Sequence, residues 1–230
     1  MAKTPKFANA KVFAWVDKWN KVCTPDKIVV VKGTPEEHTA ICEMMVKNGQ
    51  FIKLDEKKRP GCYLARSHES DVARVEGRTF ICSKREIDAG PTNHWMDPVE
   101  MKAKMTKAYK GCMKGRTMYV IPFAMGPIGN PITQYGIELT DSPYVVVNMN
   151  IMTRTGDAVI RHLGKDGSFV PASTPSARRS RRARRTWRGP ARRRSRTSTS
   201  RSSRRTARSG RSAPATAATR CSARSALRCA

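Results

Sequence analysis

Thr117-Met118-Tyr119-Val120-Ile121-Pro122-Phe123 is a run of β-branched, aromatic and apolar residues and reads as a strand. What flanks it decides the class of fold. Upstream, Asp97-Pro98-Val99-Glu100 is a helix start, with Asp at the cap and Pro at the first helical position; the helix runs to about Tyr109 and stops at Gly111. Downstream, Gly126-Pro127, Gly129-Asn130-Pro131 and Ser142-Pro143 punctuate as turns. Further strands are expected at Thr79–Ser83 and Tyr144–Met152, and a short helix at Asp157–Leu163, closed by Gly164.

Nearer the N-terminus, Asn9 can cap a helix to about Val22 that carries Val12, Trp15, Val16, Trp19 and Val22 on one stripe. The two Trp read as core anchors. Lys27–Val31 is a short β-branched run and reads as a strand. Thr34-Pro35-Glu36-Glu37 opens another helix, with Thr34 as cap and Glu37 placed to close a capping box, ending near Asn48-Gly49. The irregular alternation of helices and strands predicts a mixed α/β domain with some antiparallel pairing. No internal repeat is visible.

Composition divides the 230 residues near position 171. From Ala172 to Ala230 there is no Asp, Glu, Lys, Val, Ile, Met or Phe, but there are 19 Arg. Those 19 belong to a total of 45 Lys and Arg, so residues 1–171 carry 26 basic against 18 acidic residues, net +8, where the whole chain carries +27. Such a tail lacks the apolar surface to offset the entropy of ordering it, so residues 172–230 are expected to be disordered. An Arg-rich tail would adhere to nucleic acid at low salt whatever its origin. Its single aromatic, Trp187, offers little for base stacking.

Cysteines stand at 23, 42, 62, 82 and 112, with two more in the tail, and none forms a CxxC pair. A zinc knuckle or redox dithiol motif is therefore not indicated, and the usage fits a reducing, cytoplasmic setting. No signal pattern opens the chain, and no run of 18 apolar residues predicts a membrane span. Walker, GxGxxG and HExxH motifs are absent. The clearest polar cluster is Asp71-Val72-Ala73-Arg74-Val75-Glu76-Gly77-Arg78. On a strand, Arg74 and Glu76 would share one face. By pattern alone that is usually a solvated pair of little worth. The alternative is a guanidinium fork that clamps a carboxylate or phosphate.

Longer runs add a resemblance. Gly111-Cys112-Met113-Lys114-Gly115-Arg116, continuing through the Thr117–Phe123 strand to Ala124-Met125-Gly126-Pro127, resembles the N-terminal domain of GTP-dependent phosphoenolpyruvate carboxykinase. So do Gly136-Ile137-Glu138-Leu139-Thr140-Asp141-Ser142-Pro143-Tyr144-Val145-Val146, Asp71–Glu76 and Gly90-Pro91-Thr92-Asn93-His94-Trp95-Met96-Asp97-Pro98. The resemblance covers about residues 8–171. It implies the fold of that N-terminal domain and an enzyme that converts oxaloacetate and GTP to phosphoenolpyruvate, GDP and CO2. It also implies Mn2+ or Mg2+ as cofactor, and a cytoplasmic monomer that is not bound to membranes. It implies further that Arg74 binds the substrate carboxylate and, more weakly, that Glu76 meets a mobile lid.

The family's later parts do not appear in order: a Tyr-Gly-Gly substrate loop, the metal-binding Lys and His, an Asp beside them, and an Ala-Cys-Gly-Lys-Thr-Asn-type phosphate loop. The resemblance thus places no catalytic, nucleotide-binding or metal-binding residue in this chain. Where the family reads approximately Cys-Leu-His-Ser-Val-Gly, the chain reads Ala172-Ser173-Thr174-Pro175-Ser176-Ala177. Synonymous codons for Ala172–Ser180 read one base earlier give Cys-Leu-His-Ser-Val-Gly-Ala-Pro-Leu. The same offset from Gly210 gives Trp-Ser-Phe-Gly-Ser-Gly-Tyr-Gly-Gly-Asn-Ala-Leu-Leu-Gly-Lys-Lys. The expectation is a carboxykinase N-terminal domain at 1–171 followed by an out-of-frame tail at 172–230, a frameshifted and inactive fragment. The competing expectation is a basic nucleic-acid-binding protein acting through the tail.

Overall fold

The computed structural model describes residues 2–66, 77 and 79–175. Its centre is a mixed sheet built on strand β6 (Thr117–Met125), the run that reads as a strand from sequence. Strand β1 (Lys27–Val30) lies parallel to β6, with Val29 opposite Tyr119. Where β1 ends, the two-residue β8 (Arg154–Thr155) pairs antiparallel with β6 at Phe123 and Ala124. On the other side β7 (Gln134–Thr140) forms an antiparallel hairpin with β6, and β9 (Val170–Thr174) adds parallel to β7. Two small sheets complete the strands: β2 (Phe51–Lys53) against β3 (Tyr63–Ala65), and β4 (Phe80–Ile81) parallel to β5 (His94–Trp95).

Because successive side chains of a strand face opposite ways, β6 feeds two cores. Met118, Val120 and Ala124 join α1 (Ala10–Cys23), α3 (Pro98–Tyr109) and α5 (Asp157–Leu163) through Val12, Val16, Trp19, Tyr109, Val159 and Leu163. Ile121 joins α2 (Pro35–Lys47) and α4 (Pro143–Met152) through Ile41, Met45, Val146 and Val147. Trp19 is buried and stacks edge-on with Trp15 and obliquely with Tyr109, as core anchors should. The mixed α/β class read from sequence is the class found.

The caps explain why the helices start where they do. Asn9 Oδ1 accepts from the Lys11 and Val12 amides, and Asp97 Oδ1 from those of Val99 and Glu100. Thr34 Oγ1 accepts from the Glu37 amide, as expected. The Glu37 carboxylate, however, does not return to Thr34: its Oε2 accepts from the Lys32 and Gly33 amides, and so ties the exit of β1 to α2.

One expectation is corrected. Tyr144–Met152 is not a strand but lies within α4, with Pro143 at its first position. The β-branched run Val145-Val146-Val147 disfavours a helix only slightly, and burial of Val146 and Val147 against α2 outweighs it. The sheet also runs past residue 171. β9 runs through it to Thr174, with Ala172 opposite Glu138 and Thr174 opposite Thr140. Parallel pairing uses main-chain amides that any non-proline residue supplies, so the change of composition at Ala172 does not stop the ladder. Pro175 follows the last paired residue and has no N–H to continue it. Among the described residues no helix is long and apolar enough to cross a membrane.

Candidate substrate-binding site

Arg74 and Glu76 both lie outside the described residues, as do the rest of 67–76 and Arg78. The described frame on either side is β3, ending at Ala65, and β4, beginning at Phe80. β4 is held by β5 through Phe80 opposite His94 and Ile81 opposite Trp95, and the Met96 amide donates to the Ile81 carbonyl. The Trp95 indole N–H donates to the Ser83 carbonyl at 2.9 Å, which fixes the ring beside the 3₁₀ turn Glu86–Ala89. Asn93 Nδ2 donates to the Ala89 carbonyl at 2.8 Å, and Arg85 pairs with Asp88 at 3.0 Å across that turn.

This segment surrounds an open depression of about 410 Å³ lined by Glu86, Ile87, Gly90, Pro91, Asn93 and Trp95. Its lining holds one carboxylate and no cation, so by itself it does not attract a dianionic substrate. Nor do the described residues offer a home for the implied metal: no group of three or more His, Cys, Asp or Glu is gathered among them. The resident donor set does not fit Mn2+ or Mg2+, and no metal role is assigned to these residues.

Pattern reading missed the main buried charge pair. The Asp141 side chain is fully buried at the end of β7, and the Arg116 guanidinium, entering β6, donates to its Oδ2. The two partners are 25 residues apart, beyond the reach of any helix or strand period. They clasp the open end of the β6–β7 hairpin. Further along β7, buried Glu138 accepts from Thr174 Oγ1 at 2.6 Å and so fastens β9.

Residues 14–213 match the family model described as the phosphoenolpyruvate carboxykinase N-terminal domain. The chain belongs to that family. Relatives named "Phosphoenolpyruvate carboxykinase [GTP]" include those of Neocallimastix frontalis, 58% identical over 165 residues, and Treponema pallidum (strain Nichols), 57% identical over 166. That of Corynebacterium jeikeium (strain K411) is 51% identical over 162 residues. These alignments cover 70–72% of this chain but only 26–27% of each relative, so the chain spans about a quarter of the carboxykinases it matches. The family match runs past residue 171 into the Arg-rich stretch.

Proposed function

We propose that this chain is the N-terminal portion of a GTP-dependent phosphoenolpyruvate carboxykinase, and that Arg74 is its substrate-carboxylate clamp. The supporting observation is the 51–58% identity to relatives of that name. Oxaloacetate and phosphoenolpyruvate carry carboxylates that must be oriented before carbon dioxide leaves, and a planar guanidinium can hold one by two parallel hydrogen bonds. Glu76 is the lid contact in this reading. The nucleotide and the divalent metal would be held by parts of the enzyme that follow this domain, in a cytoplasmic monomer.

The test uses the complete enzyme with the reading frame restored. Arg74→Ala should lower kcat/KM for both oxaloacetate and phosphoenolpyruvate by roughly 30- to 1000-fold, the equivalent of about 2–4 kcal/mol for a desolvated charge-assisted contact. GTP affinity should hardly change. Arg74→Lys should recover only part of the loss, because an ammonium is a point charge. A solvated Arg74–Glu76 pair would cost at most about 1 kcal/mol and leave the kinetics unaltered, which would remove Arg74 from the site.

The 230-residue chain itself is proposed to be inactive, with residues beyond about 172 read out of frame. Charge that develops on a transferred phosphoryl group needs a phosphate cradle and a metal, and the sequence has no motif for the cradle. Oxaloacetate with GTP and Mn2+ should therefore show no turnover above a protein-free control. Turnover, or GTP binding that survives enough salt to screen the Arg residues, would refute this. The gene around codon 172 is the direct check, since one missing base is expected there. An intact frame with no carboxykinase text in the neighbouring one would favour the nucleic-acid reading. In that case affinity should fall steeply with salt, as counterion release demands.

A further inference from the structure

Cys23 ends α1 and Cys112 sits in the turn after α3, yet the two are packed in one apolar cluster with exposures of 2% and 3%. The Gly111 amide donates to the Val22 carbonyl at 2.8 Å and the Met113 amide to the Cys23 carbonyl at 3.0 Å. The backbone on both sides of Cys112 is therefore stitched to the end of α1, which holds the two cysteines in the same buried cluster. Neither sulfur has a part in the function proposed above.

We propose that Cys23 and Cys112 are a redox-responsive pair that closes to a reversible disulfide when a hydroperoxide is present. The hydrogen-bonded backbones on either side of Cys112 and the shared burial of the two side chains supply the closeness that a disulfide requires. The pair is also electronically unequal. Cys112 is held below the usual thiol range, first by the hydrogen bond with Cys23 and further by the Arg116 charge, against burial and the Asp141 carboxylate. Cys23 is pushed up by its hydrogen bond with Cys112 and by burial. Cys112 is thus the attacking thiolate and Cys23 the resolving thiol.

The Cys112 thiolate takes the terminal oxygen of the hydroperoxide, becoming a sulfenic acid and releasing hydroxide or alkoxide. The Cys23 sulfur then attacks the sulfenic sulfur, the S–S bond forms, and water leaves with the Cys23 proton. Two thiols are oxidised and one peroxide bond is reduced. The oxidant is small enough to enter when the helix ends open locally at Thr24 and Gly111, both of which hold left-handed backbone angles.

The experiment treats the folded 230-residue chain with limiting hydrogen peroxide, blocks free thiols with N-ethylmaleimide and maps tryptic peptides without reduction. Residues 22–27 joined to 111–114 should be the dominant oxidised product, two hydrogens lighter than the separate peptides and released by dithiothreitol. In urea, where any of the seven cysteines can meet any other, that link should lose its dominance. Cys62→Ser, which alters an exposed thiol outside the pair, should leave the link intact. Recovery of Cys23 and Cys112 as maleimide adducts at a dose that oxidises Cys62 would overturn the proposal. So would a link no more abundant in the folded chain than in urea.

Discussion

Arg116→Ala should destabilise the domain by about 3–5 kcal/mol, the cost of taking one partner from a buried ion pair. The Asp141 side chain is wholly inaccessible and the Arg116 side chain only 30% exposed, so water cannot easily take the place of the guanidinium. Against a typical total stability of about 5–15 kcal/mol, that is a fifth or more of the whole. Urea unfolding followed by fluorescence would measure it. In the Asp141→Asn background the same Arg116→Ala change should cost only about 1 kcal/mol, since no buried charge remains to be compensated. The Glu100–Lys104 pair on α3 is the contrast. Both of its side chains are more than half exposed, and Lys104→Ala should cost about 0.5 kcal/mol or less. Equal costs at Arg116 and Lys104 would show that the buried pair is screened like a surface one.

Gly156→Ala should cost about 4 kcal/mol or more, and two separable effects add there. Gly156 has φ 98° and ψ −156°, a region that is essentially glycine's alone and costs other residues about 1–3 kcal/mol. A Cβ would in addition lie 1.9 Å from the Lys32 carbonyl oxygen, and the obstacle is backbone, not a pliant side chain. That crossing is where the end of β1 meets the start of α5: the Asp157 amide donates to the same Lys32 oxygen, and the Gly156 amide donates to the Pro122 carbonyl. Gly49 isolates the first effect. Its φ is 71°, but a Cβ would meet nothing within 4 Å, so Gly49→Ala should cost only about 1 kcal/mol. If the two substitutions shift the urea midpoint alike, the close approach of β1 and α5 is not what holds them together.

What can be read from sequence is whatever is written locally. Asn9, Thr34 and Asp97 sit at their caps with hydrogen-bond partners within three residues, and α1, α2 and α3 begin there. The β6 run is long and apolar enough to stand out. β7 is not legible, because Gly136 and Glu138 interrupt the apolar pattern in its middle. Their reasons lie elsewhere in the chain. Gly136 makes room for the Phe123 ring, where a Cβ would fall 2.4 Å from a ring carbon, and Glu138 is satisfied by Thr174, 36 residues on. α4 misleads for the same cause: its apolar residues answer to α2 and β6, not to their own neighbours. Arg74 becomes a specific candidate only through family resemblance. Its own neighbourhood, an Arg and a Glu two apart, leaves the solvated pair and the carboxylate clamp both open.

β9 carries a consequence for the fate of the chain as a product of translation. Its last three residues, Ala172-Ser173-Thr174, fall on the far side of the proposed change of frame, yet they register with Glu138, Leu139 and Thr140. Thr174 then adds two bonds: its hydroxyl donates to Glu138, and its carbonyl accepts from the Thr140 hydroxyl. A hydrogen-bond ladder is indifferent to which codons supplied its amides. A change of frame at Ala172, as proposed, would therefore still leave β7 covered through Thr174, with β9 as the edge strand of the sheet.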